Sequence, residues 1–247
     1  MQVKDKNIQL MKYFSIISIV LMLTLAAPVT QLSYGGAEVE ECVEPPAGMV
    51  SWWPLDETSG TNAEDIIGGN DGEHNNGPTF ATGNVGDALE FDGVDQYVDA
   101  GSDSSLDITG PITIDAWIKP NTIEEFQDIV AKGDLDDAPG ALTYFLLIMK
   151  DAVPDGTIRF GINVGGVGDF VDSDIQIAKD VFTHVAATFD AGVTGDVVIY
   201  INGVEKGTGN IAGTPPSNDE PLFIGALKNG AGTANPFSGV IDEVEIF

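Results

Sequence analysis

Residues 86–99, Gly86-Asp87-Ala88-Leu89-Glu90-Phe91-Asp92-Gly93-Val94-Asp95-Gln96-Tyr97-Val98-Asp99, hold two short runs of alternating apolar and polar residues pinched around Asp92-Gly93. Alternation with period two puts the apolar side chains on one face of a strand. An Asp-Gly pair accepts the positive φ of a tight reversal. The segment therefore reads as two antiparallel strands, and the same rhythm recurs along the chain. Strands are expected over Met49 to Leu55, Ala88 to Phe91, Tyr97 to Ala100, Ile112 to Lys119, Asp128 to Lys132 and Leu142 to Met149. They continue over Thr157 to Val164, Phe170 to Ile177, Thr183 to Phe189, Asp196 to Ile201, Leu222 to Ala226 and Val240 to Phe247. Many short strands with turn residues between them predict an all-β fold, a two-sheet antiparallel β-sandwich of jelly-roll type.

Local patterns sharpen this reading. In Ile112 to Lys119, Ile112, Ile114, Ala116 and Ile118 share one face, while Thr113, Asp115, Trp117 and Lys119 share the other. Asn202-Gly203 after Val197 to Ile201 predicts a type I′ hairpin. Trp52 and Trp53 are adjacent in a strand and must point opposite ways. One is expected in the core and the other exposed or under a loop. A single helical turn is expected over Ile123 to Phe126. The stretches Asp56 to Asp87 and Gly203 to Pro221 read as long loops, which in a compact domain are functional or pinned by something.

The chain has 39 Asp and Glu against 10 Lys and Arg, a formal charge of -29. Nucleic-acid affinity rests on basic residues that neutralise phosphates, so this balance excludes nucleic acid and anionic membranes as partners. Cations, neutral sugars and adaptation to salt remain. Lys4, Lys6 and Lys12 precede an uncharged apolar run from Tyr13 to Ala27, too short for a membrane span. Residues 1–37 therefore read as a signal peptide, with cleavage expected after Ala37 and Ala27 as the other possible boundary. Residues 38–47 read as a polar leader holding the single cysteine, Cys42, and residues 48–247 as one domain, secreted or at the cell surface.

Several motifs, in order, carry a family resemblance: Trp52-Trp53-Pro54 with Asp56-Glu57, Gly68-Gly69-Asn70-Asp71-Gly72, Phe91-Asp92-Gly93, Ala116-Trp117-Ile118-Lys119, His184-Val185-Ala186-Ala187-Thr188-Phe189-Asp190, Tyr200-Ile201-Asn202-Gly203 and Gly239 to Val244. Together they resemble the laminin G-like jelly rolls of the concanavalin A-like lectin and glucanase superfamily. Related laminarinase-type hydrolases carry a Glu-x-Asp-x-x-Glu spacing that this chain does not have. Asp242-Glu243-Val244-Glu245 puts two glutamates on one face but sits on the terminal strand. His184 reads as a structural histidine. The expectation is thus a non-catalytic module for a glycan or an extracellular protein, a monomer or part of a larger chain. A glycoside hydrolase or a structural module of an envelope or adhesion protein are the alternatives.

Trp117 and Tyr97 are the candidate ligand-binding aromatics. On the last strand Val240, Asp242, Val244 and Ile246 alternate with the polar positions, which predicts that Asp242 points inward and needs a partner. In the superfamily's glucanase branch a last-strand Asp holds a structural calcium, and Asp242 matches that position. A structural Ca²⁺ is therefore expected on Asp242, with Asp56 and Asp65 as companion ligands. Asp134, Asp136 and Asp137 form a further acidic cluster without EF-hand spacing.

Overall fold

The computed structural model describes residues 45–136, 141–150, 155–164, 167–192 and 194–247. The expected signal peptide, its cleavage site, Cys42, most of the leader and Asp137 lie outside these residues. Eighteen strands are present among the described residues. The first half holds β1 (Ser51–Trp53), β2 (Asn62–Ala63), β3 (Gly72–Asn75), β4 (Thr79–Thr82), β5 (Asp87–Asp92), β6 (Tyr97–Asp99), β7 (Ile112–Pro120), β8 (Gln127–Lys132) and β9 (Tyr144–Ile148). The second half holds β10 (Thr157–Val164), β11 (Val167–Gln176), β12 (Thr183–Asp190), β13 (Asp196–Ile201), β14 (Val204–Asn210), β15 (Leu222–Ile224), β16 (Leu227–Asn229), β17 (Gly232–Ala234) and β18 (Ser238–Ile246).

Two eight-stranded antiparallel sheets face each other as a jelly-roll β-sandwich. The first runs β14-β13-β12-β7-β18-β5-β4, with β1 added beside β18, and the second runs β11-β10-β9-β8-β15-β6-β3-β2. The expected alternation governs the core. Ile112, Ile114, Ala116 and Ile118 are buried in one core cluster that also holds Leu146, Phe160 and Ile158, while Thr113, Asp115, Trp117 and Lys119 face outward and are half-buried. Trp53 is fully buried and Trp52 is not. Asn202 and Gly203 both have positive φ, 51° and 72°, as the tight hairpin requires.

The long Asp56 to Asp87 stretch is partly regular, because β2, β3 and β4 fall inside it. These strands are short and polar, with β2 and β4 at sheet edges and β3 next to one, so no apolar alternation marks them. A side-chain knot holds their loop to β1. Asn70 donates to Ser51 Oγ at 2.8 Å and accepts the Trp53 indole N–H at its carbonyl, also at 2.8 Å. The turn expected over Ile123 to Phe126 is absent, and a short 3-10 turn stands instead at Ser104–Leu106.

The second long loop is pinned by a lysine. Lys132 ends β8 with no exposed surface, and its Nζ lies 3.0 Å from Asp107 Oδ1. The same ammonium donates to the Glu220 carbonyl at 2.6 Å and to the carbonyl and Oδ1 of Asn218 at 3.3 Å each. A second lysine, Lys228, bridges Asp134 and Glu220 Oε2, the latter at 2.8 Å. Asp134 also accepts from the amides of Asp136 and Gly230. That acidic residue is neutralised by the chain's own ammonium.

Candidate functional site

β18 is last in sequence but lies inside its sheet, between β7 and β5 with β1 alongside. The strand also carries a β-bulge between Asp242 and Glu245, where Glu243 takes φ 52°. One extra residue reverses the in-and-out parity. Ile241 precedes the bulge on the core side, while Val244 and Ile246 follow it there. Asp242 therefore does not point into the core with Val244 and Ile246, as simple alternation predicted. It lies opposite Trp117 on the outward side and is buried by the Gly83–Gly86 turn.

The registers of five adjacent strands define one row across this outer face. Tyr200 on β13 pairs with Ala186 on β12, Ala186 with Asp115 on β7, Asp115 with Glu245 on β18, and Glu245 with Trp52 on β1. Four strand spacings make the row about 19 Å long. Trp117 stands in the next row, opposite His184 and Asp242. Its indole meets the His184 imidazole edge-on, with centroids 5.3 Å apart, and His184 Nε2 lies 3.2 Å from Asp115 Oδ1. His184 is thus held between an aromatic and a carboxylate. The Trp52 indole N–H donates to Glu243 Oε2 at 2.5 Å.

The carboxylates of this face are crowded and poorly solvated. Burial, then the neighbouring Asp115 and Glu243 charges, push Glu245 up to about 8. Burial raises Glu243 most, the Trp52 hydrogen bond lowers it, and the charges of Asp242, Asp56 and Asp115 raise it further, so it reaches about 7. Two glutamates with raised values and an aspartate in hydrogen-bond contact with His184 thus stand between Trp52 on one side and Trp117 on the other.

Of the three expected calcium ligands, two share one neighbourhood. Asp242 Oδ2 accepts from the amides of Asn84 and Val85 at 2.6 and 3.0 Å, whereas Oδ1 is buried without a partner. Burial raises this group to about 6, against the lowering of those two amides, and Asp56 raises it further. Asp56 accepts from the Asp87 amide at 2.7 Å, on the same turn. Asp65 is elsewhere in its bonding: it accepts from the amides of Trp52, Ile67, Gly68 and Asn70, each within 3.0 Å. Burial would raise it, but these four donors outweigh that cost and hold it below the usual carboxylate range. Its oxygens organise the loop and do not turn toward Asp242. Among the described residues no group of three or more His, Cys, Asp or Glu side chains is arranged to hold a metal ion.

Tyr97 is on the outer face of the other sheet, stacked on Phe223 with centroids 4.3 Å apart. It stands near Asp99 and Glu73, which line a shallow cleft of about 440 Å³ with Thr61, Asn62 and Asp71. The fold therefore does not bring Tyr97 and Trp117 into one site. The row through Asp115 and Glu245 was missed because sequence does not say which strands are neighbours. A partial signal existed: Asp115 and Trp117 share a face within β7.

A laminin G family model of the concanavalin A-like lectin/glucanases superfamily matches residues 92–247, and the chain belongs to that superfamily. No curated protein matches the chain. Among solved structures, domain 4 of AbnA, a GH43 extracellular arabinanase from Geobacillus stearothermophilus, in complex with arabinotriose, is 20% identical with a TM-score of 0.57, over 80% of this chain and 91% of that one. The CBM40 of the Ruminococcus gnavus IT-sialidase bound to α2,3 sialyllactose is 15% identical with a TM-score of 0.55, over 65% and 89%. The binding domain of Paraclostridial Mosquitocidal Protein 1 is 16% identical with a TM-score of 0.61, over 81% of this chain and 48% of that one. At these identities the likeness is one of fold.

Proposed function

We propose that this domain is an exported, non-catalytic glycan-binding module whose ligand lies across the outer face of the first sheet. The observation that carries the reading is the cross-strand row Tyr200, Ala186, Asp115, Glu245 and Trp52, with Trp117 beside it. An extended oligosaccharide needs apolar rings to stack on and polar atoms to receive its hydroxyls. This row offers aromatics at both ends, carboxylates in the middle and a small residue, Ala186, between them. Two of the fold neighbours, the arabinanase domain and the CBM40, are in complex with sugars, which supports the reading by analogy. A glycan array probed with the purified protein should give hits, and Trp117→Ala should weaken each by about tenfold or more, the scale of one lost aromatic platform. Unchanged binding by that variant would remove the site from this face.

One observation favours a second reading. Asp115 and Glu245 are direct cross-strand partners whose charges act on each other, so two carboxyl groups share one neighbourhood, as a glycoside hydrolase requires. Binding needs only the row, whereas hydrolysis also needs a glycosidic bond seated between the two groups. Incubation with β-glucans, galactans and sialosides separates the two: turnover lost in Glu245→Gln would establish the enzyme.

A calcium ion on Asp242 and Asp56 is a separable part of the proposal. The partnerless Oδ1 of Asp242 beside a second carboxylate fits a hard cation completed by backbone oxygens. At calcium a hundredfold above its dissociation constant, linkage adds about 2.7 kcal/mol of stability. Melting should rise by several degrees between chelator and millimolar Ca²⁺, and Asp242→Asn should remove most of that rise. Identical wild-type curves would end the calcium reading, and Asp65→Asn should leave the calcium increment unchanged.

A further inference from the structure

Independently of what the domain binds, we propose that Lys132 and Asn218 join in an intramolecular amide bond, with Asp107 as the group that moves the protons. Lys132 ends β8 with no exposed surface, and Asn218 lies in the loop between β14 and β15. Fully buried lysines are rare, and a buried ion pair adds little net stability over apolar packing, so stability alone does not account for this one. Lysines taken out of water are the amine nucleophiles of proteins. Here Nζ lies 3.3 Å from Asn218 Oδ1 and 3.0 Å from Asp107 Oδ1. Amine, acyl group and carboxylate therefore meet at one point, with the acyl carbon one carbonyl bond beyond that oxygen.

The Asn218 amide is held for attack. Its Oδ1 accepts from Lys132 and, at 3.1 Å, from the Glu220 backbone N–H, a donor placed to stabilise the charge of a tetrahedral intermediate. Its Nδ2 donates to the Ala141 carbonyl at 2.5 Å and to the Thr143 hydroxyl at 2.9 Å, which fixes the side chain. The Asn218 backbone N–H reaches Asp107 Oδ1 at 3.4 Å and keeps carboxylate and amide together. In the reaction Asp107 takes one proton from the ammonium, and the freed lone pair forms the Nζ–Cγ bond. Asp107 then gives that proton to Nδ2 and receives a second from Nζ as the Cγ–Nδ2 bond breaks. Ammonia leaves, the last proton departs with it as ammonium ion, and Asp107 is again a carboxylate. The new bond ties the β14–β15 loop to a strand inside the second sheet.

Mass spectrometry of the full chain, denatured and digested, tests the bond. The fragment holding Lys132 should be joined to the fragment holding Asn218 and be lighter than their sum by one ammonia. Lys132→Met should leave the fragments separate, since it loses the bond and the ionic contacts together. Asn218→Asp keeps the shape and offers a carboxyl, so it should join with loss of water in place of ammonia. Asp107→Asn cannot take the proton and should slow joining by about a hundredfold or more, followed from refolding. Circular dichroism checks that the variants fold, and the wild-type digest decides even if none does. Separate wild-type fragments with a free Lys132 amine overturn the proposal, as does loss of ammonia without a joined pair. A join from Lys132 to Asp107 overturns Asn218 as the acceptor, and joining at the wild-type rate in Asp107→Asn overturns the role of Asp107.

Discussion

Replacing Lys132 by methionine should cost about 3–5 kcal/mol and lower the melting temperature by roughly 10 °C. The ammonium is fully buried and serves four oxygens: Asp107 Oδ1, the Glu220 carbonyl, and the carbonyl and Oδ1 of Asn218. Methionine preserves most of the volume but strands the Asp107 charge and leaves the carbonyls of the 218–220 segment without a donor. Breaking a buried pair from one side is far more costly than never having built it. Asp107→Asn with Lys132→Met should therefore recover part of the loss, since the orphaned charge is then gone. Urea unfolding of the single and double variants measures both terms. A single variant within 1 kcal/mol of wild type would show that the loop is held by something else.

Stability should also fall as pH rises, a direction opposite to that of most acidic surfaces. Asp128, buried under Asn235, is raised to about 7 by burial against the lowering of the Asn235 amide, and one of its oxygens has no partner. Asp242, Glu243 and Glu245 are raised to about 6, 7 and 8, in each case chiefly by burial. In the unfolded chain these groups ionise near 4, so between there and their folded values the folded state holds protons that the unfolded state has released. Linkage then makes stability greatest on the acid side of that window and lost as pH climbs through it. Asp65 and Asp134, held low by their amide and lysine donors, act the other way and lose their contribution only in stronger acid. The melting temperature should peak near pH 5 and drop by at least about 10 °C by pH 8.5, since Asp128 alone contributes on the order of 3 kcal/mol over that range. Asp128→Asn should be more stable than wild type at pH 8.5 and flatten the profile. A wild-type profile that rises from pH 5 to 8.5 would contradict the environments described for these four carboxyls.

The sandwich was legible because its central strands obey strict alternation. Thr157–Val164 and Asp196–Ile201 were bounded to the residue, and the Asn202-Gly203 turn and the opposed Trp52 and Trp53 were read correctly. Where alternation is weak, the reading failed. β2, β3, β4 and β14 lie at or near sheet edges with polar or glycine-rich residues, and no apolar alternation marks them. Site residues were harder for a different reason. Trp117 was identified from its polar strand face, but its partners Glu245, Trp52 and His184 come from strands far away in sequence. Pairing of β18 with β7 and β1 is a tertiary fact, and the bulge at Glu243 reverses the parity on which the placement of Asp242 depended.

The chain has three tryptophans, and their indole N–H resonances test the central claim directly. Trp52 and Trp117 lie on the outer face, whereas Trp53 is buried with its N–H on the Asn70 carbonyl. Titration of ¹⁵N-labelled protein with a binding oligosaccharide should move the Trp52 and Trp117 signals in proportion to occupancy and leave Trp53 in place. A ligand that binds while both outer indoles stay fixed, with shifts gathered instead around Tyr97 and the Asn62–Glu73 cleft, would place the binding face on the opposite sheet and contradict the account.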